Sequence, residues 1–240
     1  MHGKTPFGKV FYHLRLAVKK APSLFNRAFR GVVLSFDLLS RYWKRADYVY
    51  ADGDFVRNSS LELAAREINE GGVEGAAAEL GVFRGEYARL INRAFPDRKL
   101  YLFDSFEGFS ADEESRDKDE GYSEIPDDFS NTSVELVLKR MKYPQNCVVK
   151  KGFFPGTADG LDETFCFVSI DCDLYKPIYS GLEYFWERLA KGGYIFVHDY
   201  QNPAYSGAKK AVREFCGKKN IPYFLMSDCC GTAVVSKGQE

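Results

Sequence analysis

The segment Phe165–Tyr200, FCFVSIDCDLYKPIYSGLEYFWERLAKGGYIFVHDY, carries the fold in one piece. Cys166, Phe167, Val168 and Ile170 form an apolar run broken only by Ser169, which reads as a strand buried on both faces. IYSGLEYFWERLAKGG then reads as a helix stopped by Gly192 and Gly193, and YIFVHDY as a second strand. Strand, helix and strand at these lengths predict a parallel crossover unit. The two strand ends carry Asp171, Asp173, His198 and Asp199. Acids at the end of an apolar run cost free energy to desolvate unless something pairs with them.

The same alternation extends outward. SSLELAAREINEGG, with hydroxyl cap candidates at Ser59 and Ser60, predicts a helix, and EGAAAELGVF a strand followed by the helix GEYARLINRAF. KLYLFD and NCVVKKGFF read as strands with the helix VELVLKRM between them. AYSGAKKAVREFCGKK is a late helix, and YFLM and TAVVS suggest a closing antiparallel hairpin. The expected fold class is α/β, a Rossmann-like doubly wound, mostly parallel sheet with an antiparallel end. The acidic segment Ala111–Asp128 reads as a solvated loop or a lid.

The chain has 240 residues, 45% hydrophobic and 15% aromatic, enough for one α/β domain. Its net charge of −1 gives no field for nucleic acid. The six cysteines include no Cys-x-x-Cys pair, which points away from a zinc site and toward a reducing cytoplasm. No apolar run reaches spanning length, and the start lacks the pattern of a signal peptide. Before Arg45 the only acid is Asp37, against many lysines and arginines with aromatic residues between them. Residues 1–54 are therefore expected to form a basic amphipathic helical arm ahead of a domain over residues 55–240. The arm either packs on the domain or a second subunit of a homo-oligomer, or makes a peripheral contact with an anionic membrane.

Open α/β sheets bind ligands at the carboxyl ends of their strands. Glu79, Gly81 and Gly85 follow the first strand, in a turn without the third glycine of a pyrophosphate-binding fingerprint. Asp104 ends the next strand, where an acid accepts the hydroxyls of a ribose. Together they indicate a cofactor bearing a nucleoside. Asp173, His198 and Asp199 could converge on a divalent cation, Mg²⁺ or one more tolerant of nitrogen. Cys172 would point to the opposite face as core filling.

AELGVFRGEYARL, LFDSFEGF, GFFPGT, the Ser169–Tyr200 segment and GAKKAVREF in this order resemble the macrocin O-methyltransferase family, from about Val56 to Ser236. These enzymes use S-adenosylmethionine, and several methylate sugar hydroxyls of antibiotics. The resemblance implies that Glu79 and Gly81 line the amino-acid end of the cofactor, and that Asp104 holds the ribose. Ser105 and Phe106 would lie beside the adenosine, with Gly152, Phe153 and Phe154 flanking the cofactor. Asp173 and Asp199 match metal ligands of the family. His198 stands where the family commonly has a further acid. Asp171 is expected to support the site from the cofactor side.

The function expected is transfer of a methyl group to a hydroxyl of a small molecule or glycan, with a divalent cation favouring the alkoxide. Asp173 and His198 are the candidate bases. Two competitors are a metal-dependent glycosyltransferase using Asp171-x-Asp173 and a non-catalytic binding module.

Overall fold

The computed structural model describes residues 44–50, 53–123 and 129–238. Met1–Arg45 forms one unit and Ala46–Glu240 another. The amphipathic arm expected over residues 1–54 lies outside the described residues up to residue 43.

Seven strands form one sheet in the order β3-β2-β1-β4-β5-β7-β6. They are β1 (Ala76–Leu80), β2 (Leu100–Asp104), β3 (Cys147–Lys151), β4 (Phe165–Ile170), β5 (Leu189–Val197), β6 (Phe224–Leu225) and β7 (Ala233–Ser236). β1 to β5 run parallel, and β7 and β6 close the sheet antiparallel, as the sequence predicts. The helices are α1 (Phe55–Glu70), α2 (Ala88–Ala94), α3 (Ala111–Asp119), α4 (Val134–Arg140), α5 (Tyr175–Arg188) and α6 (Ser206–Lys219).

Every residue of β1 and β4 is buried, which explains why neither strand alternates polar with apolar. One core cluster joins Leu80, Phe103 and Ile170 to Leu182 and Phe185 of α5 and Phe215 of α6. The other joins Leu102 and Phe167 to Leu61 and Ile68 of α1, Ile91 of α2 and Val137 of α4. Helices thus cover both faces of the sheet.

Three local expectations need correction. α1 begins four residues before Ser59, because Asp54 caps it and accepts the N–H groups of Val56 and Arg57 at 2.8 and 3.2 Å. α5 ends at Arg188, and Gly192 and Gly193 belong to β5. The pairing with β4 jumps there from Phe165–Leu189 to Phe167–Tyr194, a bulge that brings Gly193 close against the carbonyl of Cys166. Lys237 Nζ donates to the carbonyls of Trp186 and Leu189, satisfying the helix end that the glycines do not. Finally, the first half of the acidic segment is α3. Its buried Asp117 accepts the Tyr175 N–H at 2.9 Å, fastening α3 to the start of α5. Residues 124–128 lie outside the described residues.

Candidate active site

The tips of β1 and β4 meet backbone to backbone. Gly81 takes φ +86°, and a Cβ there would stand 2.0 Å from the carbonyl oxygen of Asp171. Only glycine allows this approach. The Asp171 N–H donates to Leu80 O at 2.8 Å, and the Gly81 N–H to Phe103 O at 2.9 Å. At the end of β2, Asp104 Oδ2 accepts the N–H groups of Val82 and Phe83 at 2.7 and 2.8 Å, and Oδ1 that of Phe106 at 2.6 Å. These bonds use three of the roughly four lone-pair sites of a carboxylate and hold the β1–α2 turn open. Ser105 Oγ donates to Gly108 O at 2.6 Å.

Beyond β4 and β5 the backbone turns sharply, with Asp173 and Asp199 both in the left-handed region at φ +60° and +59°. Asp171, Asp173 and Asp199 each bring a carboxylate oxygen to within 4.8 Å of the others. Asp171 pairs with Arg57 of α1 at 3.0 Å and with His198 Nδ1 at 3.1 Å. His198 Nδ1 also lies 2.8 Å from Asp199 Oδ2, and Asn202 donates to Asp199 Oδ1 at 2.8 Å.

These contacts set the charges. Burial alone would raise the Asp171 carboxyl, but Arg57 and His198 hold it well below the usual carboxylate range. Burial would lower the His198 imidazole, yet Asp171 and Asp199 push it up to about 10. It is therefore protonated at neutral pH. Burial and the neighbouring Asp171 and Asp199 carboxylates push Asp173 well above its ordinary value.

One cavity of about 360 Å³ takes in both halves of the site. Glu79, Gly81, Asp104, Ser105, Gly152, Phe153, Phe154, Asp171, Asp173, His198 and Asp199 all line it. Gly85 and Phe106 are not in its lining: Gly85 gives room to Val137 and Met141, and Phe106 is buried in the second core cluster. Cys172, expected to fill the core on the far face, is half-buried and lines the cavity as well as packing on the first core cluster. Strand alternation does not reach it, because β4 ends at Ile170. Sequence reasoning missed Arg57, Tyr87, Phe83, Phe109, Phe129 and Glu113, all of which line the cavity.

Two donor sets could hold a divalent cation: Asp171, Asp173 and Asp199, or His198, Asp199 and Cys230. The first fits a hard cation such as Mg²⁺, because it is all oxygen and like charges crowd Asp173. The second is spent on itself: His198 pairs with Asp199, and burial pushes the Cys230 thiol up to about 12. The first set replaces His198 of the expected set with Asp171. For the cofactor, Glu79 Oε2 and Arg57 Nε fit a polar ligand, since both are buried without a hydrogen-bond partner.

Known proteins resemble this chain in sequence and in fold. A sugar-named relative, 8-demethyl-8-(2,3-dimethoxy-alpha-L-rhamnosyl)-tetracenomycin-C 4'-O-methyltransferase of Streptomyces olivaceus, is 26% identical over 199 residues, 77% of this chain and 73% of that protein. Mycinamicin III 3''-O-methyltransferase of Micromonospora griseorubida is 28% identical over 181 residues, 69% of each chain. The solved structure of the O-methyltransferase NovP superposes with a TM-score of 0.61 at 21% identity, covering 77% of this chain and 80% of that one, a likeness of fold. Residues 53–234 match the macrocin-O-methyltransferase (TylF) family. The chain belongs to that family and is an S-adenosylmethionine-dependent O-methyltransferase.

Proposed function

We propose that this enzyme methylates a sugar hydroxyl of a glycoside or glycan precursor. The observation that carries the reading is the carboxylate cluster of Asp171, Asp173 and Asp199, which opens into the same cavity as the β1 and β2 turns. One relative named above carries a rhamnosyl group in the name of its substrate, and both are named as O-methyltransferases. The Asp171-x-Asp173 motif of a glycosyltransferase gains no support beside the match of residues 53–234 to a methyltransferase family.

S-adenosylmethionine, when bound, supplies a methyl group on a sulfonium, already activated for in-line displacement. The chain's own task is alignment and removal of one proton. Glu79 and Gly81 would hold its amino-acid end, Asp104 and Ser105 its ribose and adenosine, and Gly152 and Phe153 would flank it, all of them lining the one cavity. Asp173 takes the acceptor proton. Its carboxylate lines the cavity, and burial with the neighbouring Asp171 and Asp199 raises its affinity for a proton. His198 is charged and cannot serve as that base at neutral pH. It holds Asp171 and Asp199 in place. Asp171, Asp173 and Asp199 would hold a divalent cation such as Mg²⁺, whose chemistry is to acidify a bound hydroxyl.

The test is incubation of the full chain with S-adenosylmethionine and a panel of glycosides, with and without Mg²⁺, read by mass spectrometry. A methyl group located on a sugar oxygen is the expected product. Methylation confined to non-sugar hydroxyls would replace the acceptor assignment.

A further inference from the structure

A groove separate from that cavity runs along the first turns of α6. Tyr122, Ser206, Lys209, Lys210, Arg213 and Glu214 line it. Lys209 and Lys210 stand four and three residues before Arg213, spacings that place side chains on one helix face. Like charges so placed repel one another.

Neutral side chains hold these cations in position. Arg213 Nε donates to the Tyr200 hydroxyl at 3.2 Å. Lys209 Nζ lies 5.4 Å from the centre of the Tyr200 ring and donates to Gln201 Oε1 at 2.8 Å. Lys210 Nζ lies 5.6 Å from the centre of the Tyr122 ring. Tyr200 is a firm support, since it is buried and its hydroxyl lies 2.8 Å from that of Tyr223. A phenol orients a cation without cancelling its charge. None of the three cations forms an ion pair among the described residues. Glu214, the acid in the lining, accepts the Tyr175 hydroxyl at 2.9 Å. Glu120 lies outside the lining, 3.5 Å from the Tyr122 hydroxyl. Three ordered charges of one sign are thus left for a polyvalent anion to answer.

Two short paths join the groove to the acid-cluster side of the cavity. Tyr200 and Gln201 directly follow Asp199. Ser123, next to Tyr122, pairs with Tyr205, whose ring centre lies 6.5 Å from that of Phe109 in the cavity wall.

We propose that the groove is a subsite for a phosphate group carried by the acceptor, with Lys209, Lys210 and Arg213 as its donors. A phosphate or diphosphate supplies the charge and the oxygens that these three side chains match. A neutral glycoside leaves them unused. The inference rests on the sugar acceptor proposed above and narrows it to phosphorylated sugars, soluble or lipid-linked.

The first test is calorimetry of the full chain with inorganic pyrophosphate, free of divalent cations. Binding should saturate with a Kd below about 1 mM and weaken as salt is raised. The variant Lys209→Gln/Lys210→Gln/Arg213→Gln should bind pyrophosphate about tenfold more weakly or worse, and S-adenosylhomocysteine within about twofold of the wild type. Lys210→Glu, whose parent side chain rests only on the Tyr122 ring, should weaken pyrophosphate in the same direction and covers a triple variant that fails to fold. The second test offers one sugar as its nucleoside diphosphate, its polyprenyl diphosphate and its methyl glycoside, and reads methylation by mass spectrometry. One of the diphosphates should exceed the methyl glycoside in kcat/KM by about tenfold or more, an advantage that the triple variant loses. Which diphosphate it is identifies the source of the phosphate. No pyrophosphate binding, or binding that the variants leave unchanged, would overturn the subsite. So would equal kcat/KM for the diphosphates and the methyl glycoside. Vesicles of phosphatidylcholine and phosphatidylglycerol that bind the wild type better than the triple variant, without any response to pyrophosphate, would replace the subsite with a membrane contact. Pyrophosphate binding that the variants lose, with no sugar of any form methylated, would keep the phosphate site and remove only the sugar reading.

Discussion

The carboxylate of Asp117 accepts the backbone N–H of Tyr175 at 2.9 Å, joining an acidic surface helix to the first turn of α5. Asp117 is 1% exposed, although α3 around it is almost entirely polar. A Cβ on Gly207, at the start of α6, would stand 3.0 Å from the same carboxylate. One side chain thus seats α3 against the beginnings of two helices that follow the acid cluster. Asp117→Ala should cost about 1–3 kcal/mol of stability. It should also raise the KM for the acceptor more than that for S-adenosylmethionine. Asp117→Asn keeps an acceptor oxygen and should recover most of both. Chemical denaturation and steady-state kinetics check this pair.

Asp104→Ala removes the acceptor of three backbone N–H groups at once. The β1–α2 turn should relax, and S-adenosylhomocysteine should bind about tenfold more weakly or worse. Calorimetry gives the answer directly. Unchanged affinity would mean that the turn is held by other contacts.

Asp173→Asn should leave cofactor affinity intact, because Asp173 bonds none of the cofactor-side turns. Turnover should fall about 100- to 10,000-fold, the range expected for loss of a general base. Retained activity would move the base elsewhere in the cluster.

The His198–Asp171 pair predicts a pH dependence of stability. His198 is raised from 6.5 to about 10, so its contribution is complete below pH 6.5 and is lost as pH rises through about 10. Asp171 is lowered from 3.8, so its contribution is complete above pH 3.8 and is lost as pH falls through its depressed value. The pair stabilises fully between those two limits. Melting temperature should decline from pH 6.5 toward 10 in the wild type and decline less in His198→Gln. Parallel curves for the two proteins would contradict the charged imidazole.

Gly81→Ala should cost about 3 kcal/mol or more, because its Cβ meets backbone rather than a side chain able to rotate away. Denaturant midpoints would show the loss.

The sheet was readable because β1, β2 and β4 are apolar runs long enough to be strands and too short to be helices. The strand-end acids were readable for the same reason: nothing in a buried strand needs them. Arg57 was not. On its helix it reads as one more solvated charge, and its partner Asp171 lies 114 residues away. The helix α3 was hidden by composition, although Asp112, Glu113 and Glu114 in its first turn and Arg116 and Lys118 in its last match a helix dipole. At Gly192 and Gly193 two glycines fit a helix stop and a strand bulge equally well. Only the pairing with β4 distinguishes them.

The contact between Gly81 and the Asp171 carbonyl makes the donor half and the acid half of the cavity a single rigid frame. Neither half can slide to suit a longer or shorter reach. Variation in what the enzyme accepts must therefore be written on the part of the wall formed by Phe109, Ser110, Glu113 and Phe129, which line the cavity without belonging to any strand. A lineage could change its acceptor by rebuilding that wall while the geometry of methyl delivery stays inherited.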